Sequence, residues 1–269
     1  AALTIASAGQ DSTSPLNDPE RAWQFGMDAE LGFLAPLAHT IILSRGGSRF
    51  DYVEEGGQDN LFTFLRLSTE LRLNEVHALR FLYQPLDLRS SVLLRRDVRI
   101  DGQDFSSGTP LDIRYGFSFW RLSYLYDFAE SEDTELSLGL SLQIRNATID
   151  FTSADGTQRR TNRDIGPVPI FKGRARVEPW EGVWFGAEAD GFYAPVKYFN
   201  GGKSDVEGAI LDASVRAGVE LNHGVSPYLN IRYLGGGAKG TSKNDPGPGD
   251  GFVSNWLHFV TVSVGVAVF

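Results

Sequence analysis

The 269-residue chain has no cysteine, a single methionine and only four histidines. Without cysteine there is no disulfide framework, no thiolate zinc site and no thiol nucleophile. No apolar run approaches the roughly 18–20 residues that a membrane helix requires, so a helical membrane protein is excluded. A membrane barrel is not, because one of its strands needs only about 10 alternating residues. HExxH, GxSxG and P-loop patterns are all missing, and nothing is spaced to hold a cofactor. An excess of basic charge is missing too. Thirty-four acidic residues against 25 basic ones give a net charge of −9, which argues against nucleic acid or anionic lipid as the main partner. With 42% hydrophobic and 12% aromatic residues, the chain is too apolar to be disordered. It is long enough to bury a large core, and β-barrels of this size form one domain.

Alternation with a period of two residues is abundant. The last segment, from Trp256, reads WLHFVTVSVGVAVF, with Val260, Val262, Val264, Val266 and Val268 on one face and Thr261, Ser263, Gly265 and Ala267 on the other. In 134–145, Leu136, Leu138, Leu140, Leu142 and Ile144 alternate with Glu135, Ser137, Gly139, Ser141, Gln143 and Arg145. Residues 208–221 repeat the pattern. One face is aliphatic or aromatic along its whole length, and the other is small or ionised. Alternation alone fits a half-buried soluble sheet as well as a barrel in lipid.

The connections separate the two. Ten strands are predicted, at 23–33, 61–73, 76–88, 110–128, 134–149, 166–178, 183–194, 208–221, 225–235 and 256–269. The links at 74–75, 129–133, 179–182 and 222–224 are tight. Those at 34–60, 89–109, 150–165, 195–207 and 236–255 are long and rich in Gly, Asp, Ser and Arg. Short and long links alternate strictly, as in a membrane barrel with short turns on one side and long loops on the other. Two short hairpins, around Asp101-Gly102 and Gly46-Gly47, are placed beyond the membrane. If they cross it instead, the barrel has twelve strands. Aromatic residues follow the turns: Trp23, Phe25, Tyr124, Tyr126, Phe128, Trp180 and Trp184 near the short ones, and Tyr193, Tyr233, Trp256 and Phe259 at the other rim. This distribution predicts two interfacial girdles.

Over residues 23–269 the chain resembles bacterial outer-membrane β-barrel proteins as a class. The resemblance implies an all-β transmembrane antiparallel barrel in the outer membrane, with short periplasmic turns and long external loops. It implies outer-membrane lipid and lipopolysaccharide as surroundings, and a last strand read by the barrel-insertion machinery through its terminal aromatic, here Phe269. Phe269 is in phase with Ala267 and Gly265 rather than with the valines, a departure from the usual signal. Residues 1–22 are small and polar, and are expected to form a periplasmic tail or a lumen plug.

The alternation assigns a set of charges to the lumen: Arg66, Glu70, Arg72, Arg80, Asp112, Arg114, Arg121, Asp127, Glu135, Arg145, Lys172, Arg174, Arg176, Glu178, Glu188, Asp190, Asp212, Arg216, Glu220 and Arg232. For Arg121 the assignment supposes a phase shift near Phe119-Trp120. Arg outnumbers Lys twenty to five in the chain, which suits bidentate pairing with carboxylates in a partly dehydrated interior. Two readings stay open. The charges fill a narrow barrel as a salt-bridge network, or they line a path for a charged solute. The expected function is therefore a non-enzymatic barrel, either a narrow pore or a structural and surface-interaction protein, without cofactor, metal or nucleic acid. The alternative is a hydrolase at the outer rim, using His39 or His258 with Asp205, Asp245 or Asp250. A Glu30–His258 contact is the one catalytic constellation within the strands. Passage of hydrophobic molecules through a lateral opening is a third possibility.

Overall fold

The computed structural model describes residues 22–129, 131, 133–195, 205–221, 224–241 and 249–269. The expected tail at 1–22 lies almost wholly outside them. Fourteen strands form: β1 (Trp23–Leu43), β2 (Phe50–Asp51), β3 (Phe62–Leu73), β4 (His77–Gln84), β5 (Asp87–Leu93), β6 (Val98–Ile100), β7 (Gln103–Phe105), β8 (Pro110–Asp127), β9 (Thr134–Ser153), β10 (Arg159–Trp180), β11 (Val183–Pro195), β12 (Glu207–Val219), β13 (Val225–Thr241) and β14 (Phe252–Val268). Ten walls make the barrel, with β5 continuing β4 along β8. Neighbours pair antiparallel around the ring, and β14 closes on β1 from Met27↔Val268 to Leu43↔Val253, with a bulge between Pro36 and Ala38.

The wall faces lipid. Leu136, Leu138, Leu140, Leu142 and Ile144 are 46–59% exposed on the outside of β9, while Ser137, Ser141 and Gln143 between them are buried inside. A soluble barrel would be built the other way round. Beyond Ile144 the outward residues turn polar, starting with Asn146, and this marks the outer edge of the apolar belt.

Most strands run past that edge, so they are longer than the sequence pattern predicts. The two short hairpins stay outside the membrane. β2 pairs with the outer end of β1 through Thr40↔Asp51 and Ile41↔Phe50. β6 and β7 pair around Asp101 and Gly102, both with positive φ, as a two-residue hairpin turn requires.

Candidate functional site: a lumen in two halves

The periplasmic half of the lumen is filled with paired charge. Asp212 sits at its centre and accepts from Arg232 at 2.5 Å, Arg121 at 2.9 Å and Arg66 at 3.3 Å. Lys172 bridges Glu188 at 2.8 Å and Asp190 at 2.9 Å, and Arg121 also reaches Asp190. Glu30 holds Arg216 at 3.1 Å and accepts from Asn230 and Ser263. Nearer the periplasm, Glu70 and Glu135 share Arg174 and Arg72, and Arg80 bridges Glu70 and Asp28. Eight cations (Arg66, Arg72, Arg80, Arg121, Lys172, Arg174, Arg216, Arg232) thus meet seven carboxylates (Asp28, Glu30, Glu70, Glu135, Glu188, Asp190, Asp212). The near balance leaves little net field to draw a solute of either sign. About 70 Å³ stays open here, room for a few waters.

Rings line the periplasmic mouth. Trp184, Tyr228 and Phe269 lie over Gly218, Gly265 and Gly26 of the adjoining strand, where any Cβ would strike the ring at 2.2–2.6 Å. Each glycine leaves the wall flat enough for the ring to rest on it. The Trp184 indole donates to Ser226 at 2.7 Å, and the Arg176 guanidinium stacks 4.6 Å from the Trp184 ring.

The outer half is apolar. Leu34, Phe64, Leu82, Leu88, Tyr115, Phe119, Phe151 and Phe259 point inward and are buried, joined by Phe50 and Tyr52 of the first external loop and Val98, Ile100 and Phe105 of the β6–β7 hairpin. The two loops hold each other and the wall: Ser48 N–H donates to Arg99 O at 2.8 Å, Arg96 pairs with Glu55 at 2.8 Å, and Ser44 N–H donates to Phe252 O at 2.7 Å. At the hairpin, outside the membrane, the hydrogen bond from Arg99 holds the Asp104 carboxyl below the usual carboxylate range.

Several expected positions differ. Asp112 and Arg114 face outward above the belt, where Ser91 donates to Asp112 at 2.6 Å and Arg114 pairs with Asp87 at 2.8 Å. β8 alternates without a phase shift, which places Arg121 inside. Asp127 and Glu178 sit at periplasmic turns, accepting from Ala129, Leu136 and Gly182 backbone N–H groups. Arg176 and Glu220 pair at the mouth rather than within the network. Arg145 lies in the outer half, beside the cavity described below. Trp184 and Phe259 leave the expected girdles because they point into the lumen, at 5% and 0% exposed. Asp28, Ser68, Gln84 and Tyr228 belong to the interior and lacked a signal of their own: uncharged or isolated polar residues do not stand out from an alternating strand.

The histidines do not assemble a rim site. His39 is buried, stacked 4.0 Å from Tyr52 and bonded through Nδ1 to Gln58 at 2.9 Å. His258 faces outward and meets the Tyr233 hydroxyl at 2.6 Å. In register it neighbours Ala38, whereas Glu30 pairs with Gly265, so the two expected partners are seven β14 positions apart. His77 bonds Tyr124, and His223 and Asp245 lie outside the described residues. Asp205 accepts from Thr241 and Asp250 from Arg45. Among the described residues no carboxylate hydrogen-bonds a histidine, and no cluster could hold a metal ion.

No family model matches the chain, and no curated protein matches it in sequence. Solved structures match it in shape. The outer-membrane protease OmpT of Escherichia coli aligns with a TM-score of 0.51 at 11% identity, over 91% of this chain and 96% of that one. The transport unit of the autotransporter AIDA-I from E. coli aligns at 0.45 and 9%, over 99% and 93%. A Pseudomonas aeruginosa FadL homologue aligns at 0.40 and 8%, over 91% and 90%. In fold, the chain is a bacterial outer-membrane β-barrel.

Proposed function

We propose that the protein is a non-enzymatic barrel with a closed lumen, serving as a structural and surface-interaction element of the outer membrane rather than as a pore. The observation that carries this reading is the ion-pair network across the periplasmic half, with Arg66, Arg121, Arg232, Asp190 and Asp212 at or below 1% exposed. Buried charges that pair with opposite charges resist hydration, because opening a water path means separating them. The folded first loop and the β6–β7 hairpin pack their apolar side chains into the outer half of the lumen. Outer-membrane lipid and lipopolysaccharide surround the belt, and β14 with Phe269 beyond it is the segment offered to the insertion machinery.

Planar-bilayer recording of the purified protein tests this. The wild type should give little or no steady conductance. The double variant Arg66→Ala/Arg121→Ala should leak, since it removes two guanidinium groups from the plug and frees Asp190 and Asp212 to hydrate. A large, stable wild-type conductance would make the protein a porin and end the closed-lumen reading.

A further inference from the structure

The outer half of the lumen also holds a cavity of about 700 Å³, within the range of small-molecule sites. It lies beside a break in the barrel wall. β10 and β11 pair from Trp180↔Val183 up to Phe171↔Gly191 and no further. Above that level β10 runs on to Arg159 bonded to β9 alone, and β11 runs on to Pro195 bonded to β12 alone.

The sequence explains the break. β10 carries Pro167 and Pro169, and the β9 ladder runs through both, opposite Ile144 and Leu142. A proline cannot donate to a ladder, so its nitrogen must face the unpaired side, here toward β11. Leu142 and Ile144 belong to the lipid-facing belt, so the break begins within the outer leaflet. The β3–β4 ladder also ends early, at Leu67↔Tyr83, but there the first external loop fills the space, bringing Gly57 against Val92. No described segment fills the gap beside β10.

The walls state the ligand chemistry. Small residues of β12 and β13, among them Gly208, Ala209 and 235–237, leave the volume empty, and Val168, Phe192, Ile210, Leu234 and Leu257 make its apolar surface. Arg145, Arg163 and Lys239 also line it, and no carboxylate does among the described lining residues. Glu207, the register neighbour of Lys239, is outside the lining. This is an unexpected sign for a chain with nine more acidic than basic residues. Arg163 pairs in register with outward-facing Thr148, so it stands beyond the apolar belt on the outer face of β10, at the edge of the gap. Lys239, between Glu207 and outward-facing Ser254, lies on the outside of the wall away from the gap, while Phe192 and Ile210 lie deeper. A cation at the membrane surface beside the mouth of an apolar chamber matches a molecule with a negative head and a hydrocarbon tail.

We propose that this cavity binds an acyl chain bearing an anionic head group, which enters sideways from the outer leaflet between β10 and β11. The site is separate from the closed charge network, so it stands whether or not the lumen conducts.

The test uses the full chain in phosphatidylcholine nanodiscs, with dansyl-undecanoic acid as probe and dansyl-undecanol as its neutral counterpart. The acid should bind saturably and about tenfold more tightly than the alcohol, a difference of about 1.4 kcal/mol. Arg163→Gln should erase that preference and leave alcohol binding unchanged. Ala194→Trp, which fills the chamber, should abolish binding of both while the barrel keeps its folded mobility in SDS. Because the chain has no cysteine, Pro169→Cys/Tyr193→Cys can be bridged by a bifunctional thiol reagent across the gap. The bridge should slow probe entry by about tenfold or more and leave the equilibrium affinity in place. Displacement of the probe by oleate from water identifies a free fatty acid as occupant, and displacement by lipid A in the nanodisc identifies a leaflet lipid. Equal binding of acid and alcohol, displacement by neither competitor, or unaltered entry in the bridged protein overturns the proposal.

Discussion

Asp212 accepts from three guanidinium groups that water does not reach, so its loss is not a local matter. In Asp212→Asn the side chain keeps its shape but loses its charge, and Arg66, Arg121 and Arg232 are left mutually repelling with less counter-charge between them. Removing one partner of a buried ion pair costs about 3–5 kcal/mol. Glu220, exposed at the periplasmic mouth beside Arg176, should cost below about 1 kcal/mol when changed to Gln, because solvent already screens it. Urea titration of the two variants in the same lipid checks the contrast, and similar midpoints would show that the network contributes nothing to stability. The interior half of this network was legible from alternation alone: Arg66, Glu70, Lys172, Glu188, Asp190, Asp212 and Arg232 all alternate with lipid-facing residues. Asp112 and Arg114 were misread for a physical reason. The rule of apolar outside and polar inside holds only at the depth of lipid. Above it, water bathes the outer face and folded loops cover the inner one, so the rule inverts and Tyr115 points in while Arg114 points out.

The element that shows this inversion most directly is β9. Its outward face reads Leu136, Leu138, Leu140, Leu142, Ile144 and then Asn146, Thr148. Leu140→Arg places a cation in mid-belt and should destabilise the barrel by roughly 2–4 kcal/mol, whereas Asn146→Arg, three residue pairs further out on the same face, should cost about 0–1 kcal/mol. Folding titrations into lipid vesicles measure both. Equal penalties would mean that the belt does not end at Ile144. The same boundary gives Pro167 and Pro169 their meaning. In the sequence they read only as residues near the start of a predicted strand. What they do depends on which neighbour their nitrogens face, a property of the register and not of the strand itself. The lateral opening was therefore conceivable from the sequence but had no position in it. The small residues of β12 and β13 were equally visible and equally silent, since a missing side chain marks a cavity only once the opposite wall is known.

Ring closure is a property of the whole molecule, and it rests on the seam between β1 and β14. That seam runs nearly the full length of both strands, and a closed barrel has no free edge from which unfolding can start. Among the described residues the ladders run around the ring with two early ends, β3–β4 above Leu67↔Tyr83 and β10–β11 above Phe171↔Gly191, and the prolines remove two donors at the second. A folded barrel of this kind should resist SDS at room temperature and migrate as a compact species until heated. Protein that stays soluble and monomeric without detergent would contradict the membrane assignment, and the exposed leucines of β9 would then need another cover. The same mobility shift, followed over time, separates two roles for Phe269. Its ring rests over Gly26 of β1, so Phe269→Ala should slow closure of the seam in detergent as well as in membranes if packing is its contribution. Recognition by the insertion machinery predicts a different result, namely normal folding in detergent and delayed folding only when membranes carrying that machinery supply the catalyst. The inward phase of Phe269, shared with Ala267 and Gly265, makes the seam the structural part of its role, and the comparison of the two folding rates shows how much is left for recognition.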